Sequence, residues 1–213
     1  MKKILWIFFL LVIIAWIVFF ITNNKEQDSY VAERTSAEGN QNQNLNIEDN
    51  NEENLEDSEE KNQEELSSFS TTLPKDTKAR ESNINLACKT LNGTIVKSGE
   101  TFSLWKVIGN PTKERGYKKA KTFTSDGKVR KAYGGGLCQV STTIYNAVLD
   151  AEGQEVVERH EHSRDVTYIE DGKDAAVAYS ASDFKFKNNL EDDIKLEAKL
   201  EDNKIKIRLL RIY

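Results

Sequence analysis

The chain has 213 residues, of which 38% are hydrophobic and 31% charged, and its formal net charge at pH 7 is −5. Residues 23–75 hold 14 acidic and 4 basic residues, whereas residues 76–213 hold 24 basic and 21 acidic residues. Neither part has a Lys/Arg cluster interleaved with aromatic residues, so the composition argues against a nucleic-acid partner. The uneven composition predicts one folded domain, confined to the C-terminal part.

The first predicted element is an apolar segment close to the N-terminus. Residues 4–21 are 18 consecutive apolar or aromatic residues without a charge, and a helix of that length spans roughly 27 Å of hydrocarbon. Lys2 and Lys3 precede it, which favours a cytoplasmic N-terminus. We therefore predict a signal-anchor transmembrane helix over residues 1–22, with the rest of the chain extracytoplasmic. A cleaved secretion signal is the alternative, although its apolar region is usually only about 7–15 residues.

The second predicted element is an acidic linker over residues 23–75. This segment is rich in Asn, Gln, Glu, Asp and Ser and has few aliphatic residues. Such a composition cannot bury enough apolar surface to offset the entropy lost on ordering. We therefore expect a disordered tether with a root-mean-square reach of about 40 Å, leading to a folded domain over residues 76–213.

Two helices are predicted in the folded domain. Residues 77–91 have helical periodicity and end at Asn92-Gly93, with Cys88 on the apolar face, where a buried structural thiol is expected. A second amphipathic helix begins near residue 137 and ends at Gly153. Cys138 lies in the first turn of that helix, beside its apolar stripe.

Strands are predicted after the second helix. Residues 155–159, 165–169 and 175–179 have strand composition, and Asp171-Gly172 favours a hairpin between the last two. Residues 194–200 and 205–209 alternate apolar and polar side chains around another turn. The predicted fold class is α+β: an antiparallel sheet with the cysteine-bearing helix packed on it.

The glycine run at residues 134–136, directly before Leu137 and Cys138, is the strongest chemical signal in the chain. Glycines allow the backbone to approach a ligand, and a helix N-terminus offers unpaired N–H groups and partial positive charge to a thiolate. This pattern is typical of a presented nucleophile. The structural alternative is a tight turn with Cys138 as a small core residue.

A nucleophilic cysteine needs a base, and the chain has two histidines, His160 and His162. They are two residues apart near a predicted strand end, so either could face Cys138. Three alternatives remain at this point: an exposed histidine pair with no catalytic role, a zinc site formed by Cys138 with both histidines, and a disulfide between Cys88 and Cys138. Asp174 is a candidate third member because a strand starting there would neighbour the histidine strand.

These residues belong to a set of motifs by which the chain resembles the VanW family of bacterial extracytoplasmic proteins. The motifs extend over about residues 78–210 and occur in the same order as in the family. The motifs are Arg80-x-x-Asn83-Ile84, Gly99-Glu100-x-Phe102-Ser103, Gly116-Tyr117, Gly134-Gly135-Gly136-Leu137-Cys138-Gln139-Val140-Ser141-Thr142-Thr143, Glu158-Arg159-x-x-His162-Ser163, Gly172-x-Asp174-Ala175 and Asp183-x-Lys185-Phe186-x-Asn188. Ser98 stands where the family pattern has proline. Many relatives also carry peptidoglycan-binding-like domains, and here the acidic tether takes their place.

The resemblance implies a cell-wall function, because some VanW members look like cysteine L,D-transpeptidases that cross-link peptidoglycan stem peptides. It implies Cys138 as nucleophile and His162 as base, since His162 occupies the family's His-Ser position, with Asp174 as a motif position. Gly135, Gly136, Gln139 and Arg159 are the expected substrate-binding residues, and no metal or other cofactor is expected. The alternatives are a non-catalytic peptidoglycan-binding module and a glycopeptide-resistance accessory protein. The oligomeric state is not predicted.

Overall fold

The computed structural model describes residues 62–75, 78–123 and 127–213. These residues form an α+β fold with antiparallel sheets and few helices, which confirms the predicted class. The predicted transmembrane segment, residues 1–22, lies outside the described residues. Among the described helices, none combines the length and the apolar character that a membrane span requires.

The described elements form three antiparallel sheets. The helices are α1 Lys78–Leu91, α2 Leu104–Ile108 and α3 Leu137–Asp150. The strands are β1 Gln63–Thr72, β2 Thr94–Val96, β3 Thr101–Ser103, β4 Lys119–Phe123, β5 Val129–Tyr133, β6 Gln154–Glu158, β7 Lys185–Asn188, β8 Asp193–Glu201 and β9 Lys204–Ile212. One sheet has the order β1-β9-β8-β2, the second has the order β3-β7-β6, and β4 and β5 form a two-stranded hairpin.

The β8–β9 hairpin supplies much of the core and agrees with the predicted alternating strands. Asp202 and Asn203 connect the strands with φ of 49° and 60°, a left-handed conformation that Asp and Asn tolerate and that two-residue hairpins favour. One face of the hairpin is buried through every second side chain. The buried residues are Ile194, Leu196, Ala198, Ile205, Ile207 and Leu209.

The first strand corrects the predicted linker boundary at residue 75. β1 pairs with β9 from Gln63 opposite Ile212 to Thr72 opposite Lys204, so part of the predicted tether belongs to the folded sheet. The inner face of β1 includes buried hydroxyls: Ser67 Oγ donates to Ala147 O at 2.7 Å, and Thr71 Oγ1 lies 2.8 Å from Thr143 Oγ1. Because hydroxyls replace apolar side chains there, the strand has little hydrophobic alternation in its sequence.

The segment between β6 and β7 corrects a second prediction. Residues 165–169 and 175–179 are not strands. In this part of the described chain, the β-type backbone pairing is limited to an isolated bridge between Ala178 and Ser182. The segment instead packs along α3, where Asn146 Nδ2 donates to Lys173 O at 2.8 Å and Thr142 Oγ1 accepts from Ala175 N at 3.0 Å. Buried polar side chains of the helix satisfy its backbone in place of a neighbouring strand.

Candidate active site

The glycine run forms a tight turn that starts α3. Gly136 has φ of +116°, and a Cβ at this position would lie 2.9 Å from Ile84 Cγ1 of α1. A Cβ at Gly135 would lie 2.7 Å from the backbone oxygen of Lys121 in β4. Glycine is therefore required on steric grounds, because the turn packs directly against both neighbouring elements.

Cys138 is the second residue of α3, and its half-buried side chain lines a cavity of about 670 Å³. Its Sγ lies 3.4 Å from Val177 O. The N–H groups of Leu137, Gln139 and Val140 bond to the carbonyls of the glycine turn. No backbone carbonyl among the described residues accepts the Cys138 N–H, so this donor is available at the start of the helix.

His162 links the thiol to a carboxylate. Its Nδ1 lies 2.5 Å from Asp174 Oδ2, and the same oxygen accepts from the His162 backbone N–H at 2.7 Å. Cys138 and His162 both line the cavity, and the imidazole interacts with the thiol, for which Nε2 is the nitrogen that Asp174 leaves free. Burial, the largest influence, lowers the pKa of His162, but the hydrogen-bonding and electrostatic interactions with Cys138 and Asp174 together outweigh it, so the pKa lies above its usual value.

Asp174 is fixed in turn by Arg159. Arg159 Nε donates to Asp174 O at 2.7 Å, and its Nη2 donates to Asp174 Oδ1 at 2.9 Å. Burial raises the pKa of Asp174, but hydrogen bonds from His162 and the charges of His162 and Arg159 outweigh it and hold the pKa below its usual value. A buried, ionised carboxylate is thus aligned behind the imidazole.

The two histidines have different partners. His160 is exposed, and its Nε2 lies 2.9 Å from Glu158 Oε1, whereas His162 pairs with Asp174. Among the residues that the structure describes, no three His, Cys, Asp or Glu side chains are grouped to hold a metal ion. The arrangement is instead that of a nucleophile, a base and an orienting carboxylate in series.

Comparison with known proteins places this site in a family. The model of the family described as VanW like protein matches residues 79–210. The chain belongs to the VanW family. No solved structure matches it significantly.

Two curated relatives share the VanW domain. The chain is 38% identical over 136 residues to the uncharacterized protein YoaR of Bacillus subtilis, an alignment that covers 64% of this chain and 44% of YoaR. It is 32% identical over 130 residues to the vancomycin B-type resistance protein VanW of Enterococcus faecalis, covering 58% of this chain and 46% of the relative. The matched region therefore spans less than half the length of either relative.

Of the four residues predicted to bind substrate, Gly136 lines the cavity of the VanW domain and the other three do not. Gln139 is fully buried, and its Nε2 donates to Thr71 Oγ1 at 3.1 Å and to Thr72 O at 3.0 Å. Gly135 is buried in the turn, where its carbonyl accepts from Asn83 Nδ2 at 3.0 Å. The structure thus places Gln139 and Gly135 behind the cavity wall, contrary to the predicted contact with substrate.

Arg159 also departs from its predicted role. Besides Asp174, its guanidinium donates to Glu161 Oε1 at 2.7 Å and to Gly172 O at 2.9 Å, and it lies 5.3 Å from the ring centroid of Tyr145. Every guanidinium nitrogen is occupied by the protein. Arg159 therefore holds Asp174 in place and does not line the cavity.

The sequence analysis did not predict that several of the cavity residues belong to the site. They are Arg80, Trp105, Lys121, Arg130, Tyr168 and Tyr179. Trp105 Nε1 donates to Ser182 O at 2.7 Å, and its ring meets Tyr179 edge to face at 5.6 Å. Burial, foremost, raises the pKa of Tyr168 well above its usual value, so the phenol is neutral. Arg80 had a signal in its family motif, whereas Tyr168 and Tyr179 fall in segments predicted as strands and no motif marked either of them.

Cys88 differs from Cys138 in every respect that matters for reactivity. Both cysteines are free thiols, which excludes the disulfide alternative in this structure. Cys88 is 1% exposed, and burial raises its pKa to about 12. It is a core residue of α1, as its place on the apolar face predicts.

Proposed function

We propose that this chain is a membrane-anchored, extracytoplasmic cysteine acyltransferase that acts on peptidoglycan stem peptides. The observation that carries the proposal is a series at the wall of a large cavity, in which the Cys138 thiol interacts with His162 and His162 bonds to Asp174. A helix N-terminus, an imidazole and a buried carboxylate are the parts that convert a thiol into a nucleophile.

The first half-reaction forms a thioester. Cys138 gives its proton to His162 Nε2, and the sulfur attacks a peptide carbonyl carbon. As the tetrahedral intermediate collapses, the new C–S bond remains and the C–N bond breaks, while the imidazolium returns the proton to the leaving amine. Asp174 stabilises the imidazolium throughout, because its charge and hydrogen bond favour the protonated ring.

The second half-reaction regenerates the thiol. An acceptor amine attacks the thioester, His162 removes a proton from it, and the C–S bond breaks as a new C–N bond forms. Water in place of the amine gives hydrolysis. The Cys138 N–H lacks a backbone acceptor among the described residues, so it is suited to stabilise the oxyanion of both intermediates. No cofactor takes part in this scheme.

The choice of peptidoglycan depends on family evidence and on sequence. A relative with 32% identity is named as a vancomycin B-type resistance protein, which suggests a cell-wall setting for this chain. The apolar segment at residues 4–21 would anchor it in the membrane, with the catalytic domain outside. Cross-linking of the L,D-transpeptidase type is the reaction that the family resemblance favours.

The test is mass spectrometry of the full-length protein incubated with tetrapeptide muropeptides. We expect a covalent adduct on Cys138 and cross-linked muropeptide dimers. Cys138→Ala should lose both products, whereas His160→Ala is the matched control and should keep them. Absence of adduct and product with wild-type protein, across several stem peptides, would refute the acyltransferase.

A non-catalytic wall-binding module is the second candidate, favoured by the aromatic pair of Trp105 and Tyr179 at the cavity. Aromatic rings of this kind can hold ligands without any chemistry. Under this alternative, Cys138→Ala would leave both sacculus binding and muropeptide profiles unchanged. A glycopeptide-resistance accessory role would appear as altered resistance with unchanged muropeptide profiles.

A further inference from the structure

The cavity beside Cys138 has an excess of positive charge. Arg80 from α1, Lys121 from β4 and Arg130 from β5 all line it. Glu161 is the one carboxylate among the described residues of the lining, and it already pairs with Arg159 at 2.7 Å. A concave site with this balance attracts an anionic ligand.

The side chain of Arg80 packs against the turn that starts the catalytic helix. Its Cγ lies 3.1 Å from the position that a Gly136 Cβ would occupy, so its stem packs on the turn that presents Cys138. The charge of Arg80 also acts on the buried phenol of Tyr168, another residue of the cavity wall.

The guanidinium of Arg80 is held in place but not saturated. Its Nη2 donates to Gln139 Oε1 at 3.0 Å, and Gln139 is itself fixed by β1. Its Nε has no hydrogen-bond partner but is buried, so a ligand in the cavity would meet the Nη groups. No carboxylate among the described residues forms an ion pair with Arg80. An oriented arginine without a carboxylate partner is suited to bind one.

We propose that Arg80 binds a free carboxylate of the acyl donor, next to the bond that Cys138 attacks. This inference rests on the proposed function, since it takes Cys138 to be the nucleophile, and it adds a specificity residue: Arg80 selects peptides whose leaving residue ends in a free carboxylate. Gln139 then acts as the positioning residue that orients Arg80, which gives the buried glutamine of the glycine motif a role.

The test compares an anionic and a neutral probe of the same thiol. Iodoacetate and iodoacetamide both alkylate a thiolate, forming a C–S bond and releasing iodide, and they differ in one charge. The rate constant for each is measured on the full-length protein by mass spectrometry of the Cys138 peptide. The ratio of the two rates removes the intrinsic reactivity of the sulfur and leaves the attraction of the cavity for an anion.

We expect Arg80→Gln to lower the iodoacetate-to-iodoacetamide ratio about fivefold, as expected for one partly screened charge. Arg80→Lys should keep most of the ratio. Lys89→Gln removes a charge from the exposed side of the same helix and should leave the ratio unchanged. An unchanged ratio in Arg80→Gln, with a wild-type iodoacetamide rate, would overturn the proposal.

A measurement on the wild-type protein guards against a variant that fails to fold. N-acetyl-D-alanine should slow the alkylation of Cys138 by iodoacetamide, whereas its amide should not. Equal protection by both compounds, or by neither, would contradict the carboxylate site. Failure of the proposed function has a different signature: the iodoacetamide rate at Cys138 would then be the same in wild type and in His162→Ala.

Discussion

Helices α1 and α3 each have 14 residues, pack on the core and carry one of the two cysteines, yet their thiols have opposite environments. Cys88 is the fourth residue from the end of α1, three before Leu91, and it is buried in the core, where burial raises its pKa to about 12. Cys138 is the second residue of α3, lines a cavity and contacts an imidazole.

Burial accounts for the raised pKa of Cys88, whereas Cys138 lines a cavity, and the position of each thiol along its helix adds to this difference in environment. A thiol in the last turn of a helix faces unpaired carbonyls and the negative end of the dipole, both of which oppose a thiolate. A thiol in the first turn has N–H donors and a favourable dipole. The glycine turn before α3 fixes where this first turn lies, because it packs directly against α1 and β4.

The largest expected effect comes from removing each thiol in turn. Cys138→Ala should lower acyl transfer by at least about 10⁴-fold and leave the free energy of unfolding nearly unchanged. Cys88→Ala should keep activity within about twofold, but lower the free energy of unfolding by about 1 to 2 kcal/mol through a small cavity. Muropeptide assays and urea unfolding of both variants check this. Comparable activity losses in the two variants would contradict the predicted difference between the two cysteines.

The next effect distinguishes the two histidines. His162→Ala should reduce turnover about 10³-fold, because it removes the base that accepts the Cys138 proton. His160→Ala should change turnover little, since its imidazole pairs with Glu158. Steady-state rates of both variants decide the assignment, and a greater loss in His160→Ala would transfer the role of base to that residue.

A smaller effect is expected for Asp174→Asn, about 10²-fold in turnover, the lower end of what a positioned acid–base group contributes, because the imidazolium loses its stabilising charge. The pair should also give a pH-dependent stability. The pKa of His162 is raised from 6.5, so its contribution is complete below that pH and is lost as pH rises through the raised value. The pKa of Asp174 is lowered from 3.8, so its contribution is present above that pH and is lost as pH falls through the lowered value.

The stability lost in Asp174→Asn should therefore be largest between about pH 4 and pH 6.5. Urea unfolding of wild type and variant at pH 5 and pH 9 measures this difference. A loss that is the same at both pH values would show that the pair is not ionised in the folded protein.

The smallest contrast is between the glycines that flank the two helices. Gly136 precedes α3 and Gly93 follows α1, and both have positive φ. Gly136→Ala should cost about 3 kcal/mol, since its Cβ would overlap Ile84 as well as strain the backbone. Gly93→Ala should cost about 1 kcal/mol, because nothing lies within 4 Å of its Cβ. Thermal or urea unfolding of the pair checks the difference, and equal costs would show that the glycine turn is not sterically constrained.

Sequence reasoning located the candidate nucleophile through local features. The glycine run, the helical periodicity after it and the alternation in β8 and β9 are all properties of adjacent residues. It failed at β1, whose buried Ser67 and Thr71 give no hydrophobic alternation, and at residues 165–179, whose backbone is satisfied by side chains of α3. It also could not distinguish His160 from His162 without the family motif.

By itself the sequence determined the fold class, the family and the helix that carries Cys138, because periodicity and glycine placement act over a few residues. Only the tertiary structure decided which imidazole interacts with the thiol, that Arg159 supports Asp174, and that Arg80 lines the cavity without a carboxylate partner among the described residues. These contacts join segments that are distant in the chain. They depend on how an irregular loop packs against α3, and no local pattern encodes that packing.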